Sequence, residues 1–209
     1  MNARIFHKLP KHTFFLMQLF LFFFSVNCFS PKKPTSNLAM VTFKIQKEEP
    51  LLNEFVKTKF DSLLIEDGKT SYNFSENEGY VYFFQNIPSG EYMILDAVHS
   101  LDNGGSASQA PGGNTRRLDQ LTIDFSDELR EISRTKIGSG ELAFMGEFTA
   151  KIKIAIQDDP AITITGEKTQ EGEIFALDVL ARNLARSSDW GERAREKLKV
   201  YQRMGIYKP

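Results

Sequence analysis

The chain has 209 residues, of which 41% are hydrophobic and 25% charged, a composition typical of a globular protein. Residues 28–209 alone are enough for one domain with its own core. With 26 basic and 27 acidic residues, the chain lacks the basic surplus typical of nucleic-acid-binding domains, so we expect no nucleic-acid partner.

The first 28 residues have the pattern of an export signal. Three basic residues and no acidic residue precede an apolar run over 14–26. A helix of that length rises about 1.5 Å per residue, which is short of the roughly 30 Å hydrocarbon core of a bilayer. The run therefore predicts the apolar centre of a signal peptide over 1–27 rather than a membrane span.

The apolar run ends at Ser25-Val26-Asn27-Cys28, which resembles a lipobox of the relaxed kind found in spirochaete lipoproteins. The strict pattern has Leu where Ser25 stands and Gly or Ala where Asn27 stands. The resemblance implies cleavage between Asn27 and Cys28 and acylation of Cys28, the single cysteine of the chain. Two other interpretations stay open: an uncleaved signal anchor, or an ordinary signal peptide followed by an incidental cysteine.

The lipobox resemblance also predicts a location. It implies that membrane lipid is a partner through acylated Cys28, in the bacterial cell envelope. Phe29 stands where an Asp would indicate retention in the inner membrane, which favours the outer membrane. Residues 30–37 are polar and contain proline, so we predict a flexible tether over 28–38. A partner protein of the envelope or of a host is also open.

Residues 39–166 are predicted to form a β-domain. Val41, Phe43 and Ile45 alternate with polar residues, and a strand pair is expected around Asp67-Gly68. Between Gly79 and Val98, two aromatic and aliphatic runs flank Asn86-Ile87-Pro88-Ser89-Gly90. This arrangement predicts a β-hairpin with Tyr92, Ile94 and Val98 on one face of its second strand.

The stretch from Gly79 to Tyr92 resembles the hairpin of transthyretin-like (prealbumin-like) β-sandwich modules. The resemblance implies a mainly antiparallel sandwich of about seven or eight strands. The first strand of the hairpin is apolar on both faces, which is typical of a central strand whose two faces are both covered.

The period becomes helical in 167–209. Ile174, Leu177, Leu180, Ala181 and Leu184 form one apolar stripe. Trp190, Ala194, Leu198 and Tyr201 continue at helical spacing. We predict one or two helices that pack on the sheet, with Trp190 in the core.

No catalytic residue is predicted. Once the leader is removed, His99 is the only histidine, and the chain contains no Gly-x-Ser-x-Gly elbow. We expect His99 to be an exposed residue at a strand end, and we expect no metal and no cofactor. Arg116 and Arg117, in the polar stretch 100–118, are the candidate binding loop, although a solvated loop is the simpler interpretation.

The predicted function is that of a lipid-anchored envelope lipoprotein with a non-enzymatic structural, scaffolding or binding role. Two alternatives remain open. One is an envelope hydrolase that uses carboxylates alone, as glycosidases do. The other is a surface-exposed adhesin.

Overall fold

The structure is a computed structural model that describes residues 35–49, 52–56, 60–100, 120–153, 161–184 and 189–208. Asn27, Cys28, Arg116 and Arg117 lie outside these ranges. The described part of the chain contains eleven strands, three α-helices and one π-helical turn. The strands are β1 Asn37–Glu49, β2 Leu52–Val56, β3 Ser62–Glu66, β4 Ser71–Asn73, β5 Glu76–Glu78, β6 Val81–Ile87, β7 Gly90–Ser100, β8 Gln120–Asp124, β9 Thr135–Ile137, β10 Leu142–Lys153 and β11 Ala161–Glu167.

The strands form two sheets. In the first sheet the strand order is β11-β10-β1-β6-β5, and β2 pairs with the second half of β1. In the second sheet the order is β4-β3-β7-β8, and β9 pairs with the beginning of β7. The predicted pair around Asp67-Gly68 is confirmed, because β3 and β4 are antiparallel neighbours.

The prediction of a mainly β fold with helices is confirmed, but the first sheet is not antiparallel throughout. Strands β1 and β10 run parallel along almost their whole length, from Leu38 opposite Leu142 to Glu48 opposite Lys153. Parallel neighbours cannot be joined by a tight turn, and about a hundred residues separate these two strands in the chain.

The predicted hairpin between Gly79 and Val98 is wrong. Both strands exist, but β6 pairs with β1 and β5, while β7 pairs with β3, β8 and β9. The segment around Pro88 and Ser89 therefore carries the chain from one sheet to the other. The Tyr92 hydroxyl donates a hydrogen bond of 2.9 Å to the carbonyl of Pro88, and Asn86 adopts a φ of +57° at this sharp turn.

The main core lies between the two sheets and is rich in aromatic rings. Phe43 on β1 lies with its ring centroid 4.6 Å from that of Phe60 and 5.6 Å from that of Phe125. The buried Tyr82 hydroxyl accepts a hydrogen bond of 3.2 Å from the amide of Phe60. Burial of this apolar area is the dominant stabilising term of such a fold.

The two C-terminal helices and the π-helical turn cover part of the outer face of the first sheet, whereas Leu129 of the first helix packs in the core between the sheets. Helix α1 spans Asp127–Ser133, α2 spans Gln170–Val179, the π-helical turn spans Leu180–Leu184, and α3 spans Asp189–Arg203. Leu177 and Trp190 are fully buried against outward side chains of β1, β6 and β10. The predicted core position of Trp190 is confirmed, and α2 and α3 explain why β6 is apolar on both faces.

Candidate functional site

A polar concave surface lies on the outer face of the first sheet, next to the helices. We call it the sheet groove. It is a cavity of about 380 Å³, lined by Lys44, Glu147, Thr149, Thr165, Gly166 and Glu167. The groove joins side chains from β1, β10 and β11.

A β-bulge in β10 creates the groove. Met40 pairs with Phe144 and Val41 pairs with Gly146, so Met145 is an extra residue with no partner on β1. Before the bulge, Phe144 points outward and packs under the helices. After it, Glu147 is the next outward residue. Bulges commonly redirect side chains in this way, and here the outer face changes from apolar to polar.

The groove is bounded by the beginning of α2. Thr169 is the N-cap residue of α2, where its hydroxyl accepts a hydrogen bond of 3.1 Å from the Gly172 amide. The same hydroxyl donates a hydrogen bond of 2.7 Å to Glu147. A carboxylate at this position is stabilised by the partial positive charge of a helix N-terminus. Glu147 therefore ties α2 to the sheet as well as lining the groove.

The register of the three strands sets the chemistry of the groove. Lys44, Thr149 and Thr165 stand opposite one another across β1, β10 and β11. Glu147 and Glu167 are direct cross-strand neighbours. The groove thus offers an ammonium group, two carboxylates and two hydroxyls on a rigid surface. Such a set can exchange hydrogen bonds with a ligand rich in hydroxyl or amide groups.

A second cavity, also of about 380 Å³, lies where the described chain begins, and its lining carries no charged side chain. Asn37 organises this region and is 2% exposed. Its amide nitrogen donates to the carbonyl of Ile87 at 3.0 Å, and its amide oxygen accepts from the Gly140 amide at 2.7 Å. Asn37 thereby fixes the beginning of β1 to two turns.

A third cavity of about 270 Å³ lies between the π-helical turn and α3. Its apolar floor includes Ala181 and Leu198. Arg182 at its rim forms an ion pair of 2.7 Å with Asp178. The Tyr207 hydroxyl also donates to Asp178, at 2.8 Å. Arg182, Asp178 and Tyr207 are already bonded to one another. Because these polar groups are engaged, the cavity is a weaker candidate for ligand binding than the sheet groove.

Of the site predictions made from the sequence, the one for His99 can be compared with the structure, whereas those for Cys28, Asn27, Arg116 and Arg117 cannot. The prediction that His99 is exposed is wrong, because it is 4% exposed and its ring lies 6.2 Å from that of Phe60. Cys28, Asn27, Arg116 and Arg117 lie outside the described residues, so their predicted roles stay predictions. The residues of the sheet groove were not identified from sequence. The one signal available was the change from apolar to charged outward residues along β10.

No three His, Cys, Asp or Glu side chains in the described ranges are grouped so that they could hold a metal ion. No helix in the same ranges combines the length and the apolar character that crossing a bilayer requires.

Comparison of the chain with protein-family models, with curated proteins and with solved structures gave no match.

Proposed function

We propose that the chain is a lipid-anchored protein of the bacterial cell envelope, with a non-enzymatic binding role for its two-sheet domain. The observation that carries the proposal is the position of Cys28. This single cysteine stands two residues after the end of the apolar run and seven residues before Thr35, where the described fold begins. The residue after it, Phe29, favours the outer membrane over the inner membrane.

The geometry of the first described residues supports an anchor at this point. The carbonyl of Thr35 accepts a hydrogen bond of 3.0 Å from the Gly140 amide, and Asn37 follows with its own buried contacts. Seven residues of chain can span at most about 25 Å. A lipid on Cys28 would thus hold the domain against the bilayer.

The binding role is proposed for the sheet groove. Its charged and hydroxyl groups lie on paired strands, and rigid elements position ligand-contacting groups more accurately than loops do. We further propose that the domain is a prealbumin-like β-sandwich. Two sheets packed face to face support that proposal. The placement of β6 and β7 in different sheets argues against it, because the resemblance was based on a hairpin formed by these two strands.

The anchor is tested by the intact mass of the protein extracted from its native membrane. We expect the mass of residues 28–209 plus acyl chains, and we expect Cys28→Ser to abolish the acylation and release the domain from membranes. A full-length mass without acylation would mean that residues 1–27 are an uncleaved anchor. A cleaved, unacylated mass would mean a protein exported without a lipid.

One observation favours the alternative of a carboxylate-based hydrolase. Glu147 and Glu167 face the same groove as direct neighbours. Most glycosidases use a pair of carboxyl groups, one as general acid and the other as base or nucleophile. Against it, Glu147 is engaged by Thr169, which gives its carboxylate a structural task.

The groove's role can be tested with cell-wall glycan as the probe. A binding protein should sediment with the glycan and leave it intact, and Lys44→Gln should weaken this binding. A hydrolase should instead release soluble fragments, and Glu167→Gln should abolish their release. Thr122→Ala, on the outer face of the second sheet, is the matched control. If neither binding nor cleavage changes in the groove variants, the groove is not the site.

A further inference from the structure

Large apolar side chains are exposed at the end of α3. Val200 is 51% exposed, Met204 62% and Ile206 40%. Phe175 on α2 is the one other large hydrophobic residue exposed in the described ranges. Three such residues within a seven-residue segment are unusual on a protein surface that faces only water.

The same segment is basic. Residues 197–208 contain four basic residues and no acidic one, in a chain whose formal net charge is −1. Lys197 and Lys199 pair with Glu173 and Glu196. Arg203 and Lys208 are both exposed; neither forms an ion pair within 4 Å in the described ranges, although the charge of Arg203 acts on Glu196. We name the exposed set the α3 patch: Lys199, Val200, Arg203, Met204, Ile206 and Lys208.

The patch has a fixed shape. After α3 the chain turns back through Gly205, which has a φ of +73°. The Ile206 amide donates a hydrogen bond of 3.0 Å to the carbonyl of Tyr201, and the Tyr207 hydroxyl is held by Asp178. The apolar side chains of Met204 and Ile206 are therefore presented by an ordered turn.

The α3 patch lies within reach of the proposed anchor. The Arg193 guanidinium on α3 donates a hydrogen bond of 2.8 Å to the carbonyl of Ser36. Eleven residues separate Arg193 from Met204, which is about 17 Å along a helix. The chain between Cys28 and Thr35 can span about 25 Å. A bilayer that holds Cys28 can thus also contact the α3 patch.

We propose that the α3 patch docks on the surface of a bilayer that contains anionic phospholipids. Val200, Met204 and Ile206 would enter the boundary between headgroups and acyl chains, while Lys199, Arg203 and Lys208 would contact phosphates. Apolar side chains beside basic ones are the combination that binds membrane interfaces. The choice of a bilayer as occupant rests on the proposed function, because the anchor is what places a membrane beside the patch.

The test uses the full protein, with whatever anchor it carries, in vesicles made of phosphatidylcholine with or without phosphatidylglycerol. Brominated phosphatidylcholine in the vesicles quenches tryptophans that contact the bilayer. Met204→Trp reports on the patch, and Thr122→Trp reports on the exposed outer face of the second sheet. Trp190 is fully buried and supplies a constant background.

We expect several-fold stronger quenching of Met204→Trp than of Thr122→Trp in the anionic vesicles. The difference should decrease in neutral vesicles and at about 0.5 M salt, where the Debye length is only a few Å. Lys199→Gln with Arg203→Gln should weaken the quenching of Met204→Trp. Lys69→Gln with Lys136→Gln, which changes two exposed lysines elsewhere, should not.

Equal quenching at the two reporter positions would overturn the docking proposal, as would a patch that is covered by a second copy or another protein in solution. The intact mass of the same sample decides the anchor separately. If the protein carries no anchor, sedimentation with anionic vesicles still tests the patch, so failure of one proposal cannot be mistaken for failure of the other.

Discussion

Gly146 holds the backbone conformation that creates the sheet groove. Its φ is +132°, a region that residues with a Cβ rarely adopt. A Cβ on Gly146 would also lie 3.0 Å from the carbonyl oxygen of Glu167 and 3.1 Å from the ring of Phe148. A side chain here would therefore strain the bulge and press β11 away from β10.

We predict that Gly146→Ala lowers the free energy of unfolding by about 2–3 kcal/mol. Gly68→Ala is the control, because Gly68 also has a positive φ, +80°, but a Cβ at this position would have no atom within 4 Å. It should cost only about 1 kcal/mol. Urea unfolding of both variants measures the difference. Equal losses would mean that the close contacts at Gly146 do not matter.

Asp96 makes stability depend on pH. It stands opposite Asp124 on β8, and its Oδ1 atom is buried with no hydrogen-bond partner among the described residues. Burial raises the pKa of Asp96 above its ordinary value of 3.8, and the charge of Asp124 raises this pKa further. The folded protein therefore binds this proton more tightly than the unfolded chain does.

It follows that the contribution of Asp96 to stability is complete below pH 3.8 and is lost as the pH rises through the raised pKa. We predict that Asp96→Asn is more stable than the wild type at neutral pH and that the difference disappears in acid. Asp67→Asn should behave in the opposite way, because hydrogen bonds from the backbone of Thr70 and Lys69 lower the pKa of Asp67. The free energy of unfolding of the wild type and of each variant, measured between pH 3 and 7, would show both changes in stability.

The prediction that His99 is exposed was wrong for a local physical reason. Period-two alternation from Tyr92 and Ile94 places Val98 in the core and His99 outside. However, the pairing of β3 with β7 shifts between Ile94 and Asp96, so Leu95 is an extra residue. Beyond it, Ala97 and His99 are the buried residues. A bulge reverses the face of every later side chain, and alternation alone does not reveal it.

At the scale of elements, local patterns predicted strands and helices well but not their partners. The strand around Val41–Ile45, the strands on both sides of Pro88 and the buried helical stripe with Leu177 are all present. Which sheet β6 and β7 join, and the parallel pairing of β1 with β10, depend on contacts between distant segments. Sequence alternation carries no information about those contacts.

The same limit explains why the sheet groove was missed. Lys44 and Glu147 are a hundred residues apart in sequence and meet only because β1 and β10 are neighbours. Thr165 and Glu167 join them through β11. No short motif connects these residues, so the site could be identified only once the sheet order was known.

Helix α2 should contribute to stability through one face only. Leu177 is fully buried against the first sheet, whereas Phe175, two residues earlier, is 47% exposed. We predict that Leu177→Ala lowers the free energy of unfolding by about 2–5 kcal/mol. Phe175→Ala should change it by no more than about 0.5 kcal/mol. A comparable loss for both variants in urea unfolding would indicate that Phe175 is covered in the native protein.

At the scale of the whole molecule, the proposed anchor and the sheet groove are separated along β1. Asn37 lies where the tether joins the domain, and Lys44 lies seven residues further along the strand. At about 3.3 Å per residue, Lys44 in the groove lies roughly 23 Å along β1 from Asn37. An anchored domain could thus hold its membrane contacts and its polar groove at different places, which suits a protein that binds something away from the bilayer.

This arrangement makes tether length a measurable variable. Docking of the α3 patch is intramolecular when Cys28 is anchored, and effective concentration falls roughly as the −3/2 power of the length of a flexible tether. Inserting about twenty Gly and Ser residues after Ser30 should therefore weaken docking about eightfold. Bromolipid quenching of Met204→Trp, followed as salt is raised, measures this change. The insertion should leave the unfolding free energy and the acylation of Cys28 unaltered. Docking that does not respond to the insertion would mean that the patch binds membranes independently of the anchor.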